Sequence, residues 1–125
     1  MQQYTIITDI QEERSFSTMD EISLELQRLQ REEGTFVILN ASQPVNKVNY
    51  IQAMNHCHEK GFFKKSFVEL YNIEVNTTES DGGNKQYSYT VGSFEDVRSI
   101  FSEFISLGKT PDVSGWDDIT ETIFG

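Results

Sequence analysis

The stretch Ser93–Asp118, SFEDVRSIFSEFISLGKTPDVSGWDD, carries the strongest structural signal in the chain. Ser93 suits the N-cap of a helix, because its hydroxyl can accept a bond from a free backbone N–H of the first turn. Gly108 and Pro111 then end the helix and turn the chain toward Trp116. Between the two ends, apolar residues recur at helical spacing and predict one stripe that packs on a core: Val97, Ile100, Phe101, Phe104 and Ile105.

An earlier segment of the chain also has the pattern of a capped amphipathic helix. Ser17 or Thr18 suits the N-cap of a helix, Thr18-x-x-Glu21 fits a capping box, and Gly34 suits the end of the helix. The apolar positions between them fall on one helical face: Met19, Ile22, Leu26 and Leu29. The sequence therefore predicts two main helices.

The remaining apolar segments favour a sheet. Asn40–Asn49 is interpreted as a loop, and Asp81-Gly82-Gly83 as a turn between antiparallel strands. The last strand alternates Tyr87, Tyr89 and Val91 with polar residues, so we expect it to be half-exposed. Five segments have strand character, the fourth with a bulge at Leu70 and Tyr71: Tyr4–Thr8, Thr35–Leu39, Tyr50–His56, Phe62–Val75 and Gln86–Val91.

These elements predict an α+β fold, a mostly antiparallel sheet of about five strands with two main helices packed on one face. A chain of 125 residues is expected to form one globular domain, residues 1–125. Its apolar runs are too short for a membrane helix, and its N-terminus lacks the pattern of a secretory signal. The single cysteine excludes an internal disulfide, so we expect a cytoplasmic protein.

The net charge of the chain indicates which classes of partner it favours. Twenty acidic residues oppose ten basic ones, which gives a net charge of -10. A field of this sign repels phosphate backbones and attracts basic proteins. We therefore expect a basic protein partner, no nucleic acid and no membrane. The strand that ends at Val91 could be a free sheet edge, which leaves a homodimer open.

One cluster of ligand-type residues occurs, at His56-Cys57-His58. Two histidines at alternate strand positions share a face, but four good ligands are normal for structural zinc. Glu69 and Glu74 lie five positions apart, an odd spacing that places them on opposite faces of a strand, and they are interpreted as solvated strand residues. We expect no enzyme, no metal and no cofactor. The alternative of another class is a small ligand-binding or enzymatic α+β domain that uses His56, His58 and Glu69.

Trp116 has two compatible interpretations. It can pack on the sheet and close the core, as tryptophan commonly does. It can also be a partly exposed aromatic anchor inside an acidic rim of Asp112, Asp117, Asp118 and Glu121. Aromatic anchors dominate interface hot spots, and an acidic rim discriminates in favour of basic partners.

The spacing Phe104-x3-Gly108-x2-Pro111-x4-Trp116 after an amphipathic helix resembles the C-terminal pattern of small bacterial immunity proteins of polymorphic toxin systems, particularly those paired with deaminase toxins. The match covers about the last quarter of the chain, and the central strands resemble nothing specific in that family. The resemblance implies a stoichiometric inhibitor that binds and occludes a cognate toxin, and it implies structural roles for the four matched residues. The alternative is a small regulatory or interaction protein of a bacterium or mobile element.

Overall fold

The computed structural model describes residues 4–8, 14–16, 19–30, 36–55, 58–60, 66–68 and 70–124. Two longer helices and one short helix accompany the strands, together with a 3-10 turn at Val113–Gly115. The elements are, in chain order, β1 (Tyr4–Thr8), β2 (Arg14–Phe16), α1 (Met19–Gln30), β3 (Phe36–Val45), β4 (Val48–Asn55), β5 (His58–Lys60), β6 (Ser66–Val68), β7 (Tyr71–Thr78), β8 (Asn84–Val91), α2 (Phe94–Leu107), β9 (Asp117–Asp118) and α3 (Thr120–Phe124).

The main sheet has the strand order β2-β1-β3-β4-β7-β8-β9, and all its described pairings are antiparallel. Six of these strands form an open sheet, to which β9 adds two residues at one edge. Strands β5 and β6 form a separate antiparallel pair. The predicted α+β class with an antiparallel sheet is confirmed, but the sheet is larger than about five strands because β2 and β9 carry no clear sequence signal of their own.

The segment predicted as a loop at residues 40–49 is largely a β-hairpin. Strand β3 continues to Val45, which pairs with Val48 across a two-residue turn. Asn46 and Lys47 both have positive φ, 47° and 75°, as a type I′ turn requires. The Asn46 side chain also donates to the carbonyl of Gly108 at 3.2 Å, so a tertiary contact supports the turn.

The single bulged strand predicted at Phe62–Val75 is also wrong. In the described part of this range, β6 pairs with β5, whereas β7 begins at Tyr71 and pairs with β4. The change of apolar phase near Leu70 therefore marks a passage from one sheet to another. A break in alternation can indicate a β-bulge within one strand or the boundary between two strands. Both interrupt the two-residue period in the same way.

The register defines two faces of the main sheet, since residues opposite each other across an antiparallel pair share a face. One row on the core face is buried to 2% exposure or less: Ile6, Leu39, Ile51 and Val75. The matching row on the other face, the polar face, consists of Asn40, Tyr50, Asn76 and Gln86. Alternation thus separates an apolar surface from a hydrogen-bonding one.

Both long helices contact residues of the core face. The Asn55 side chain donates to the carbonyl of Leu29 in α1 at 2.6 Å. The ring of Phe104 in α2 meets Tyr4 edge to face, with centroids 5.7 Å apart. The buried helical positions agree with the predicted stripes: Ile22, Leu26 and Leu29 in α1, and Val97, Phe101 and Phe104 in α2.

The predicted ends of α2 are confirmed. The Ser93 hydroxyl accepts from the backbone N–H groups of Glu95 and Asp96, which satisfies two donors of the first turn. Gly108 has φ +61°, the left-handed conformation that favours glycine at a helix end. Thr18 and Gly34, the predicted ends of the first helix, lie outside the described residues. Among the helices the structure describes, none is long and apolar enough to cross a membrane.

Candidate functional site

Two aromatic rings stack at the outer edge of the sheet. The centroids of Tyr89 and Trp116 are 5.5 Å apart, with an angle of 15° between the ring planes. Tyr89 lies on the core face opposite the fully buried Ile73, yet 48% of Tyr89 is exposed. Trp116 is partly buried and packs against the core. We call Tyr87, Tyr89 and Trp116 the aromatic strip.

Short-range hydrogen bonds hold the chain on both sides of Trp116. The Asp112 side chain accepts from the backbone N–H of Ser114 at 3.0 Å. The backbone N–H of Trp116 donates to the carbonyl of Val113 at 3.0 Å. Asp118 accepts from both the backbone N–H and the hydroxyl of Thr120. The repeated pattern Asp-x-Ser/Thr is a signal for such turns that the sequence carries. We call residues 109–124 the tail. Hydrogen bonds from its own side chains therefore help to order the tail.

The four acids proposed as a rim are divided between the faces of the sheet. Asp118 pairs with Tyr87 and shares the core face with the aromatic strip, whereas Asp117 pairs with Ser88 on the polar face. Asp112 caps the 3-10 turn, and Glu121 is exposed in the first turn of α3. The strip thus has Asp118 on its own face, and Asp117 on the opposite one.

The hydrogen bonds from Ser114 and Thr120 lower the pKa of two of these carboxyl groups. The backbone N–H of Ser114 is the main cause for Asp112, followed by the Ser114 hydroxyl. For Asp118 the Thr120 hydroxyl is the main cause, then the Thr120 N–H and the charge of Lys85. Donors that bind the charged form favour it over the neutral form.

We expect Thr120→Ala to raise the pKa of Asp118 toward the ordinary aspartate value of about 3.9. Because the folded-state pKa is depressed, the stabilisation by this cap is present above about pH 4 and is lost as the pH falls through the folded pKa. An NMR titration of the Asp118 carboxyl carbon measures the midpoint directly. Asp112, whose donors lie in Ser114, serves as the internal control. An unchanged Asp118 midpoint in the variant would contradict this assignment.

The tail also covers the outer edge of β8. The Ile119 N–H donates to the carbonyl of Gln86 at 2.9 Å, and the Gln86 N–H donates to the Thr120 hydroxyl at 3.1 Å. Next to these bonds, β9 pairs with Tyr87 and Ser88. The middle of the strand that the sequence presented as a free edge is therefore occupied by the chain itself.

A hydrogen-bonded network lies on the polar face, centred on Gln86, which is only 1% exposed. Its Oε1 accepts from the hydroxyl of Tyr50 at 3.2 Å and from Nδ2 of Asn76 at 2.9 Å. Its Nε2 donates to Oε1 of Glu74 at 2.9 Å. We call Tyr50, Asn72, Glu74, Asn76, Gln86 and Ser88 the polar network.

Glu74 is buried in this network, so its interpretation as a solvated residue is wrong. Its second oxygen accepts from Nδ2 of Asn72 at 3.0 Å, and Oδ1 of Asn72 accepts from the Ser88 hydroxyl at 2.7 Å. Among the described residues, every buried side-chain nitrogen and oxygen has a partner. Polar residues alternate along β7 and β8, but the sequence does not reveal the network, because its members come from three strands that only the sheet brings together.

The other candidate chemistry falls mostly beyond the described residues. His56, Cys57 and Glu69 lie outside them, and His58 is placed only as part of β5. Within the described ranges, no three His, Cys, Asp or Glu side chains are grouped so as to hold a metal ion. Comparison of the chain with protein-family models, with curated proteins and with solved structures finds no match.

Proposed function

We propose that this protein is a non-catalytic binding protein of the immunity type, which binds and neutralises a basic cognate toxin in the bacterial cytoplasm. The aromatic strip is the observation that carries the proposal. Tyr89 is 48% exposed and is held by stacking on Trp116. Tyrosine and tryptophan offer large contact areas at low entropic cost, and for this reason they are frequent anchors of interfaces.

The charge distribution supports a basic partner. The chain carries a net charge of -10, which accelerates encounter with a positively charged protein and disfavours nucleic acid. Asp117 and Glu121 are exposed, and their carboxylates form no hydrogen bond or ion pair with another described residue. Their carboxylates are therefore available to contact a partner, whereas those of Asp112 and Asp118 already accept hydrogen bonds within the chain.

On this proposal, the rest of the fold is a scaffold for the C-terminal surface. The ring contact between Phe104 of α2 and Tyr4 supports packing of the two long helices on one face of the sheet, the core face. Gly108 then ends α2 in the left-handed conformation and starts the path to Trp116. Phe104 is buried and Gly108 ends α2, so on this proposal these two residues of the family-like pattern belong to the scaffold.

The test is co-expression with the product of the adjacent gene, followed by measurement of growth and of the purified complex. We expect protection from toxicity and a stoichiometric complex. Trp116→Ala is expected to weaken both, whereas Leu24→Ala, at a helix residue 60% exposed, is expected to leave both intact. A neighbourhood without a toxin gene, or a toxin that remains active in the presence of this protein, would reject the proposal.

A further inference from the structure

Asp118 and the aromatic strip form a surface that combines the exposed ring of Tyr89 and two partly buried rings with a carboxylate. Asp118 lies opposite Tyr87, and Trp116 stacks on Tyr89, the next residue of the same face. We propose that this surface binds an arginine side chain of the protein partner. The inference rests on the proposed function and specifies the chemistry by which the partner is recognised.

The geometry favours a guanidinium group over an ammonium group. A guanidinium is planar and can stack on an aromatic face while one of its N–H groups donates to a neighbouring carboxylate, whereas an ammonium is compact and strongly hydrated. Although Tyr89 stacks on Trp116, nearly half of its surface remains open to a cation. The aromatic strip therefore offers area for stacking beside a negative group.

Asp118 retains capacity for such a ligand. Its Oδ1 accepts both bonds from Thr120, while Oδ2 accepts none from a described residue. A carboxylate has about four lone-pair sites, so one free oxygen can still accept from a guanidinium. The same bonds keep Asp118 in place before the partner arrives, which reduces the entropy lost on binding.

Lys85 is a cation of the chain itself that lies near this carboxylate in the register. It is exposed and lies on the core face, two residues before Tyr87. Its charge contributes to the lowered pKa of Asp118, yet the described residues include no ion pair between the two. Lys85 therefore competes weakly for Asp118, and its removal should improve binding of an external cation.

The sole tryptophan of the chain is Trp116, so its fluorescence reports on this surface directly. The probes are hexaarginine, hexalysine and hexacitrulline, the last being a neutral analogue of similar shape. We expect a saturable change in fluorescence with hexaarginine, a weaker affinity for hexalysine, and no saturation with hexacitrulline. Lys85→Gln is expected to raise the affinity for hexaarginine about twofold or more.

Two variants with the same net charge separate local recognition from the general field. Asp118→Asn keeps an oxygen that can cap Thr120 but removes the charge from the strip. Asp117→Asn removes a charge from the opposite face. We expect the first to weaken hexaarginine binding about fivefold and the second less than twofold.

Three results would overturn the inference: equal weakening by the two asparagine variants, equal affinity for hexalysine and hexaarginine, or saturable binding of hexacitrulline. The same two variants are then tested for protection against the toxin. If the peptides fail while both variants and the native protein still protect, only the arginine inference falls. If the native protein does not protect, the proposed function falls with it.

Discussion

Replacing Phe104 with alanine is expected to lower the free energy of unfolding by about 3–5 kcal/mol. Phe104 is fully buried, and its ring meets Tyr4 edge to face at 5.7 Å. The substitution therefore leaves a cavity and also removes an aromatic pair that joins α2 to β1. A loss of this size is a large part of the total stability of about 5–15 kcal/mol that is typical of a single domain.

Chemical denaturation followed by circular dichroism measures this loss, with Leu107→Ala as the matched control. Leu107 belongs to the same helix but is 72% exposed, so its truncation should change the free energy of unfolding by no more than about 0.5 kcal/mol. Equal losses in the two variants would contradict the assignment of Phe104 to the core.

Gln86→Leu is expected to lower the free energy of unfolding by about 2–5 kcal/mol, although leucine is similar in size and more apolar. The change removes three hydrogen bonds, those with Tyr50, Asn76 and Glu74. Each buried polar group left without a partner costs about 1–3 kcal/mol. Glu74 is the most sensitive of the three, because its oxygen is charged when ionised and only 8% of the residue is exposed.

Gln52→Leu provides the control for this prediction. Gln52 lies on the same face, directly opposite Glu74 in the register, but it is partly exposed and forms no hydrogen bond with another described side chain. The same chemical change there should alter stability by about 0.5 kcal/mol or less. A stable Gln86→Leu protein would show that the polar network contributes little to the native state.

Much of the architecture follows from patterns visible in the chain. The cap at Ser93, the left-handed Gly108 and the buried stripe of α2 agree with prediction, as does the turn at Gly82, where φ is +87°. Their cause is local, since each depends on partners within a few residues. The β3–β4 hairpin does not follow from the sequence, because lysine is unusual at the positive φ that Lys47 adopts in the turn.

The site was predicted only in part. Trp116 packs against the core and remains partly exposed, which is compatible with both interpretations of it from the sequence. Its stacking partner, Tyr89, was interpreted simply as one residue of an alternating strand. The separation of Asp117 from Asp118 follows from the pairing of β9 with β8, and a two-residue strand is too short to give a periodic signal.

Strand β8 shows where local patterns cease to be sufficient. Alternation alone predicts that its tyrosines are covered and its polar residues exposed, but Gln86 is 1% exposed and Tyr89 is 48% exposed. Local sequence decided the helix, its ends and the α+β class, because capping and helical periodicity act over a few residues. Burial along β8 was decided by partners that only folding brings near, such as Tyr50, 36 positions away from Gln86, and the tail that carries Trp116.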